Sequence, residues 1–334
     1  MHRWLRKLNC IMALTFLGVL LCGCGSEDMV NSENEDVKAS YADSSEKSHT
    51  IEISESEQET AMADSPFGKS IDPEELFKNG VGVFSWDHLP NVQDVRCMKD
   101  GNITEIYQYI RPEYTDEDII AFLASMNEVD IDVYILDGEP GWAYETEYQA
   151  MKNVLDRTRY FNSLVDDDDE RIRGILFDVE PYVLERWHKD PDRLLEEYCN
   201  NIMAIKEESR VDNDPLDICI CVPFSYDKMG HDKALRTIIK ESDQIFVLNY
   251  SKGNEIDNLK REVALARWFK KRIVNVYELQ PGLLSQTTNT ITYYKDGVDA
   301  VNQNYQEIMD AYPNHDIGIA YHTLEYLRLL TIKQ

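Results

Sequence analysis

Eight short apolar runs, rich in β-branched and aromatic residues, recur along the chain from residue 70 onward. They are 81–86 (VGVFSW), 104–110 (TEIYQYI), 131–136 (IDVYIL), 173–179 (RGILFDV), 217–222 (DICICV), 244–250 (QIFVLNY), 272–277 (RIVNVY) and 316–321 (DIGIAY). Runs of this length and composition read as strands. Between them the apolar positions take helical spacing. Asp72-Pro73-Glu74-Glu75 predicts a helix start: a capping residue, proline in the first turn, then acids at the positive end of the dipole. Thr115 with Asp118 predicts a second, and Asp190-Pro191-Asp192 a third that runs towards Ser209. Further helical stretches are 143–162, 231–240, 254–270, 297–311 and 324–330. Alternating strands and helices imply an α/β fold with a parallel sheet. Eight such units over residues 70–334 match a closed (β/α)8, or TIM, barrel. An open doubly wound sheet is the alternative. Against it, and against nucleotide binding, no GxGxxG or GxxxxGK[ST] loop follows any strand.

The first 69 residues follow neither pattern. Arg3, Arg6 and Lys7 precede an apolar run from Ile11 to Leu21, too short to span a bilayer. This is the form of a secretory signal peptide, residues 1–23. Leu21-Cys22-Gly23-Cys24 resembles the lipobox of bacterial lipoproteins. The resemblance implies cleavage before Cys24, acylation of Cys24 by a palmitate-type chain, and attachment to the extracytoplasmic face of a bacterial membrane through that lipid alone. Residues 24–69 read as a disordered acidic tether. Within 25–65 there are 12 Asp/Glu, 2 Lys and 9 Ser. Such a stretch buries too little apolar surface to offset the entropy of ordering.

Charge narrows the function. The chain carries 62 acidic and 34 basic residues, a net −28. Nucleic acid is excluded as a partner, because its binding needs a basic face. Cys97, Cys199, Cys219 and Cys221 show no zinc-ligand spacing and read as free thiols. There is no HExxH pair and no GxSxG elbow, and neither a metal nor a cofactor is expected.

In a barrel of this kind, active-site residues sit where strands end. Those ends carry Trp86, Tyr109, Asp137, Glu139, Trp142, Tyr182, Asn249, Tyr250, Tyr277, Glu278 and Tyr321. Rings beside carboxylates and amides suit sugars, whose C–H faces stack while their hydroxyls hydrogen-bond. The sharpest feature is Gly174-Ile175-Leu176-Phe177-Asp178-Val179-Glu180-Pro181. Strand alternation puts Asp178 and Glu180 on one face, above Gly174 and Leu176. Two inward carboxyls two residues apart are costly to ionise together, so one keeps its proton, as a general acid must.

Asp-x-Glu at the end of a fourth strand resembles the close of the chitinase-type (family 18) glycoside hydrolase motif, DxxDxDxE. The resemblance implies that Glu180 is the general acid and Asp178 the residue that orients the substrate's acetamido group. It also implies that Tyr250 is the family's sixth-strand tyrosine, and it places Tyr321 where the family has a tryptophan. Arg173 and Leu176 stand where the motif has its earlier aspartates, and Ser251 where an Asp follows the tyrosine. Glu180-Pro181 is also similar to the Asn-Glu-Pro of the large retaining-glycosidase clan, with Val179 in place of Asn. That clan has a seventh-strand nucleophile, near which Glu278 falls. Here alternation through Val274 and Val276 assigns Glu278 to an outward apolar face, so it is expected only as a loop residue touching substrate.

The sequence therefore predicts a lipid-anchored glycoside hydrolase acting on a polysaccharide or glycoconjugate. Glu180, Asp178 and Tyr250 would do the chemistry. The alternative is a non-catalytic carbohydrate-binding or cell-envelope interaction protein on the same barrel. No oligomeric state can be read from the pattern.

Overall fold

The computed structural model describes residues 78–210, 215–281 and 288–331. The leader, Cys24, the acidic tether and the expected helix at Asp72 lie outside the described residues. Eight strands close into a barrel: β1 Val81–Ser85, β2 Glu105–Gln108, β3 Asp132–Asp137, β4 Gly174–Phe177, β5 Asp217–Pro223, β6 Gln244–Leu248, β7 Arg272–Glu278 and β8 Ile317–His322. Each pairs in parallel with the next, and β8 pairs with β1. A helix follows each strand: α1 Val92–Asp100, α2 Asp116–Asn127, α3 Tyr148–Asn162, α4 Pro191–Glu208, α5 Asp232–Glu241, α6 Lys260–Phe269, α7 Gly297–Ala311 and α8 Leu324–Thr331.

All eight expected strands are present. Three helical details differ from the sequence reading. Helix α1 was not anticipated; Asn91 and Asp94 form a reciprocal capping box at its start, which satisfies otherwise unpaired backbone N–H groups. The stretch from 143 begins as two short 3-10 turns and becomes α-helical only at Tyr148. The stretch 254–270 is broken after Asn258, where a single-turn helix Glu255–Asn258 precedes α6.

Strand alternation separates two cores. Outward residues such as Val83, Ile106, Ile175, Phe177, Ile220 and Ile319 pack beneath the helices. Inward residues Phe84, Tyr107, Tyr134, Leu136, Leu176, Cys219, Cys221, Phe246, Leu248, Val274, Val276 and Ala320 fill the barrel. Cys219 and Cys221 share this inner face, and both are free thiols. Gly82 is what admits Tyr107, since a Cβ there would collide with the tyrosine ring. At the strand starts the barrel is closed by a buried ionic plug. Arg272 donates to Glu105 Oε1 (2.6 Å), Gln244 Oε1 (2.8 Å) and the Asn79 carbonyl (2.7 Å). Tyr107 donates to Glu105, and Gln244 Nε2 donates to the Tyr134 hydroxyl at 3.1 Å. The strand ends at the opposite rim are left for chemistry.

Candidate active site

The fourth strand builds the centre. Ile175, Phe177 and Val179 bury outward, so Leu176, Asp178 and Glu180 turn inward. The Asp178 amide N–H donates to the Asp137 carbonyl at 3.0 Å. Gly138 lets this backbone approach closely, because a Cβ at Gly138 would strike the Asp178 main chain. After Glu180 the chain turns through Pro181–Val183, which brings the Tyr182 hydroxyl back to donate to Glu180 Oε1. The Cys221 thiol on β5 hydrogen-bonds Asp178 and favours its ionised form. Asp178 Oδ1 is buried with no hydrogen-bond partner among the described residues.

The two carboxyls are electrostatically distinct. Burial raises Asp178 above the ordinary carboxylate range, against the opposing effects of His322 and the Cys221 hydrogen bond. Burial and then the charge of Asp178 push Glu180 up to about 8, although the Tyr182 hydrogen bond opposes the rise. A like charge and loss of water act in the same direction here, so one proton stays with the pair at neutral pH.

Two further strand ends complete the rim. Glu278 and His322 are register partners on β7 and β8. His322 Nδ1 lies 3.0 Å from Glu278 Oε2, and the Gln280 amide N–H donates to Glu278 Oε1 at 2.6 Å. The His322 ring lies 5.4 Å from Phe84 and 6.3 Å from Tyr250. Trp86 and Tyr109, on the inner parity of β1 and β2, pair with ring centroids 5.9 Å apart. Behind Tyr182, Trp187 packs 6.3 Å away and stacks on Tyr226 at 5.9 Å.

No family model matches the chain, and no curated protein matches it. Solved barrels do resemble it. A GH18 chitinase from Pseudoalteromonas aurantia is 10% identical, with 76% of this chain and 100% of that chain covered and a TM-score of 0.45. A chitinase from Bacteroides thetaiotaomicron is 11% identical, covering 74% and 90% with a TM-score of 0.47. The citrate synthase SbnG is 8% identical, covering 77% and 96% with a TM-score of 0.42. The likeness is one of barrel architecture, shared by unrelated chemistries, so function rests on the side chains themselves.

The structure gathers Asp178, Glu180, Tyr182, Tyr250, Trp86 and Tyr109 at one mouth. It corrects four other expectations. Tyr277 and Tyr321 face the helices: their hydroxyls donate to Asn304 (2.7 Å) and Asn302 (2.9 Å) of α7. Asn249 also faces outward, donating to the Asn275 side chain (2.9 Å) and the Glu255 carbonyl (3.0 Å). Glu278 is the reverse case. Val274 and Val276 belong to the barrel interior, so Glu278 shares their inward parity and is only 1% exposed. The third-strand loop contributes less than expected. Asp137 pairs in register with outward Phe177, Trp142 packs on Phe177 at 6.5 Å, and Glu139 is exposed. His322 was not among the expected site residues. Its signal was the pair of small residues, Gly318 and Ala320, at alternate positions below it; small inward residues leave space that the strand's last inward side chain can use.

Proposed function

We propose that this barrel hydrolyses a glycosidic bond in a polysaccharide or glycoconjugate, with Glu180 as general acid. One observation carries the reading: the inward Asp178–Glu180 pair at the end of β4, in which Glu180 is pushed up to about 8. A carboxyl in that range keeps its proton at neutral pH and can pass it to the leaving oxygen. Asp178, whose rise is opposed by His322, serves as the carboxylate that positions substrate. Tyr250 stabilises the positive charge that develops as the bond breaks. The Trp86, Tyr109 and Tyr182 rings supply stacking surface. The Asp-x-Glu resemblance to family 18 supports the same assignment. The lipobox-like Leu21–Cys24 supports acylation at Cys24 and a place on the outer face of a bacterial membrane.

The experiment is a comparison of the purified protein with Glu180→Gln on chitin, peptidoglycan and other glycan panels. Turnover that falls by roughly 10²–10⁴ in the variant is expected from losing a general acid. Equal turnover in both removes Glu180 from the mechanism. Retained binding by both, without turnover, assigns the barrel to carbohydrate recognition instead.

A further inference from the structure

We propose that His322, held as an imidazolium by Glu278, is a positioning residue that keeps Asp178 ionised and leaves the pair's single proton on Glu180. This rests on the reading of Glu180 as the general acid, and it adds a second pair of residues to that site.

Geometry comes first. Glu278 and His322 close adjacent strands in register and on the same inner face. They are 1% and 2% exposed. Both Glu278 oxygens are engaged, one by the Gln280 amide at 2.6 Å and one by His322 Nδ1 at 3.0 Å. The Gln280 side-chain nitrogen lies 3.1 Å from the same ring nitrogen, and because an amide NH2 only donates it competes with a proton on Nδ1 rather than supporting it. A carboxylate this deeply buried is tolerated when a hydrogen-bonded positive partner compensates it. Nδ1 lies against both groups and we assign its proton to the Glu278 contact, the shorter of the two, while Nε2 has no hydrogen bond among the described residues.

The groups facing the ring are few. β4 contributes Asp178 and Glu180, β6 Tyr250, β7 Glu278 with the Gln280 amide just after it, and β1 the apolar Phe84. Burial works to lower the imidazole. The charge and hydrogen bond of Glu278, followed by the charges of Asp178 and Glu180, outweigh it and raise the His322 pKa overall. In return, His322 acts on both carboxyls in the direction of ionisation, and on Glu180 it acts more strongly than Glu278 acts in the opposite sense. The imidazolium end of the pair thus faces the acids. Without it, both carboxyls would bind protons more tightly.

The test uses the full chain labelled with ¹³C at Asp and Glu carboxyls and ¹⁵N at His. Carboxyl and imidazole midpoints are followed by NMR in the wild type, His322→Asn and Glu278→Gln. In His322→Asn the Asp178 and Glu180 midpoints are expected to rise by about one pH unit, the scale of one nearby charge. In Glu278→Gln the His322 midpoint falls by a similar amount. Where turnover is measurable, both limbs of the kcat/KM profile move up in His322→Asn, which a purely packing role would not produce. Unmoved carboxyl midpoints in His322→Asn overturn the proposal. So does a wild-type His322 that titrates at or below the ordinary histidine value, a reading that needs no variant to fold. Turnover unaffected by Glu180→Gln would instead sink the general-acid reading, while the midpoints decide the charge relation separately.

Discussion

Tyr182 donates its hydroxyl proton to Glu180 Oε1 from only two residues further along the chain, across the Pro181 turn. The hydrogen bond favours the ionised carboxyl and so restrains the rise that burial and Asp178 cause. Tyr182→Phe should lift Glu180 further. The alkaline limb of the kcat/KM profile should then move up by at most about one pH unit. A limb that stays in place or moves down would separate this hydroxyl from the acid.

Stability should carry the same signature without any substrate. Glu180 has a folded value of about 8 against an ordinary 4.5, so the native state binds its proton more tightly than the unfolded chain. That contribution is complete below the unfolded value and is lost as pH rises through the folded one. Glu180→Gln should therefore flatten the decline of Tm between roughly pH 5 and 9. An unchanged slope would contradict the burial argument.

A second buried acid, in the helical layer, gives an independent case. Glu262 on α6 is fully buried, and burial pushes it up to about 8. Neither of its carboxylate oxygens has a side-chain or neighbouring partner among the described residues. By the same sign argument it weakens the fold above neutral pH. Glu262→Gln should raise Tm at pH 9 by a few degrees, with a smaller gain at pH 5. Thermal melts at the two values decide it.

The plug at the strand starts predicts a large effect. Arg272→Met would leave Glu105 buried without its cation and should cost roughly 3–5 kcal/mol in chemical denaturation. Glu105→Gln combined with it should restore part of that loss. If the double variant is no better than the single, the pair is not the source of the penalty.

Asn249 separates the structural reading from the sequence reading. Its amide joins Asn275 and the Glu255 carbonyl and accepts from Asn258 at 2.8 Å. Asn249→Ala should lower stability by roughly 1–3 kcal/mol, because buried partners lose their hydrogen bonds. KM should not change. A raised KM at intact stability would return Asn249 to the site.

The eight strands and the Asp178–Glu180 pair were legible because β4 states its own inside: a glycine and two acids on one parity, bulky apolar residues on the other. Alternation alone does not say which parity faces the barrel axis. On β7 the apolar parity, Val274 and Val276, is the inner one, while the Asn275 side-chain oxygen accepts from Asn249 and the Tyr277 hydroxyl donates to α7. Those partners are distant in sequence, so nothing local marked Tyr277, Tyr321 or Asn249 as outward, or Glu278 and His322 as inward. The helix α1 was a different omission, since its Asn91–Asp94 box is a local signal.

The first described residues enter at the floor of the barrel. Asn79 Nδ2 donates to the Ile317 carbonyl at 3.1 Å, and the Asn79 carbonyl receives Arg272. Asp178 and Glu180 stand at the far rim. Asn79 and the rim that carries Asp178 and Glu180 thus lie at opposite ends of the barrel, with the Arg272 plug and the inner core between them.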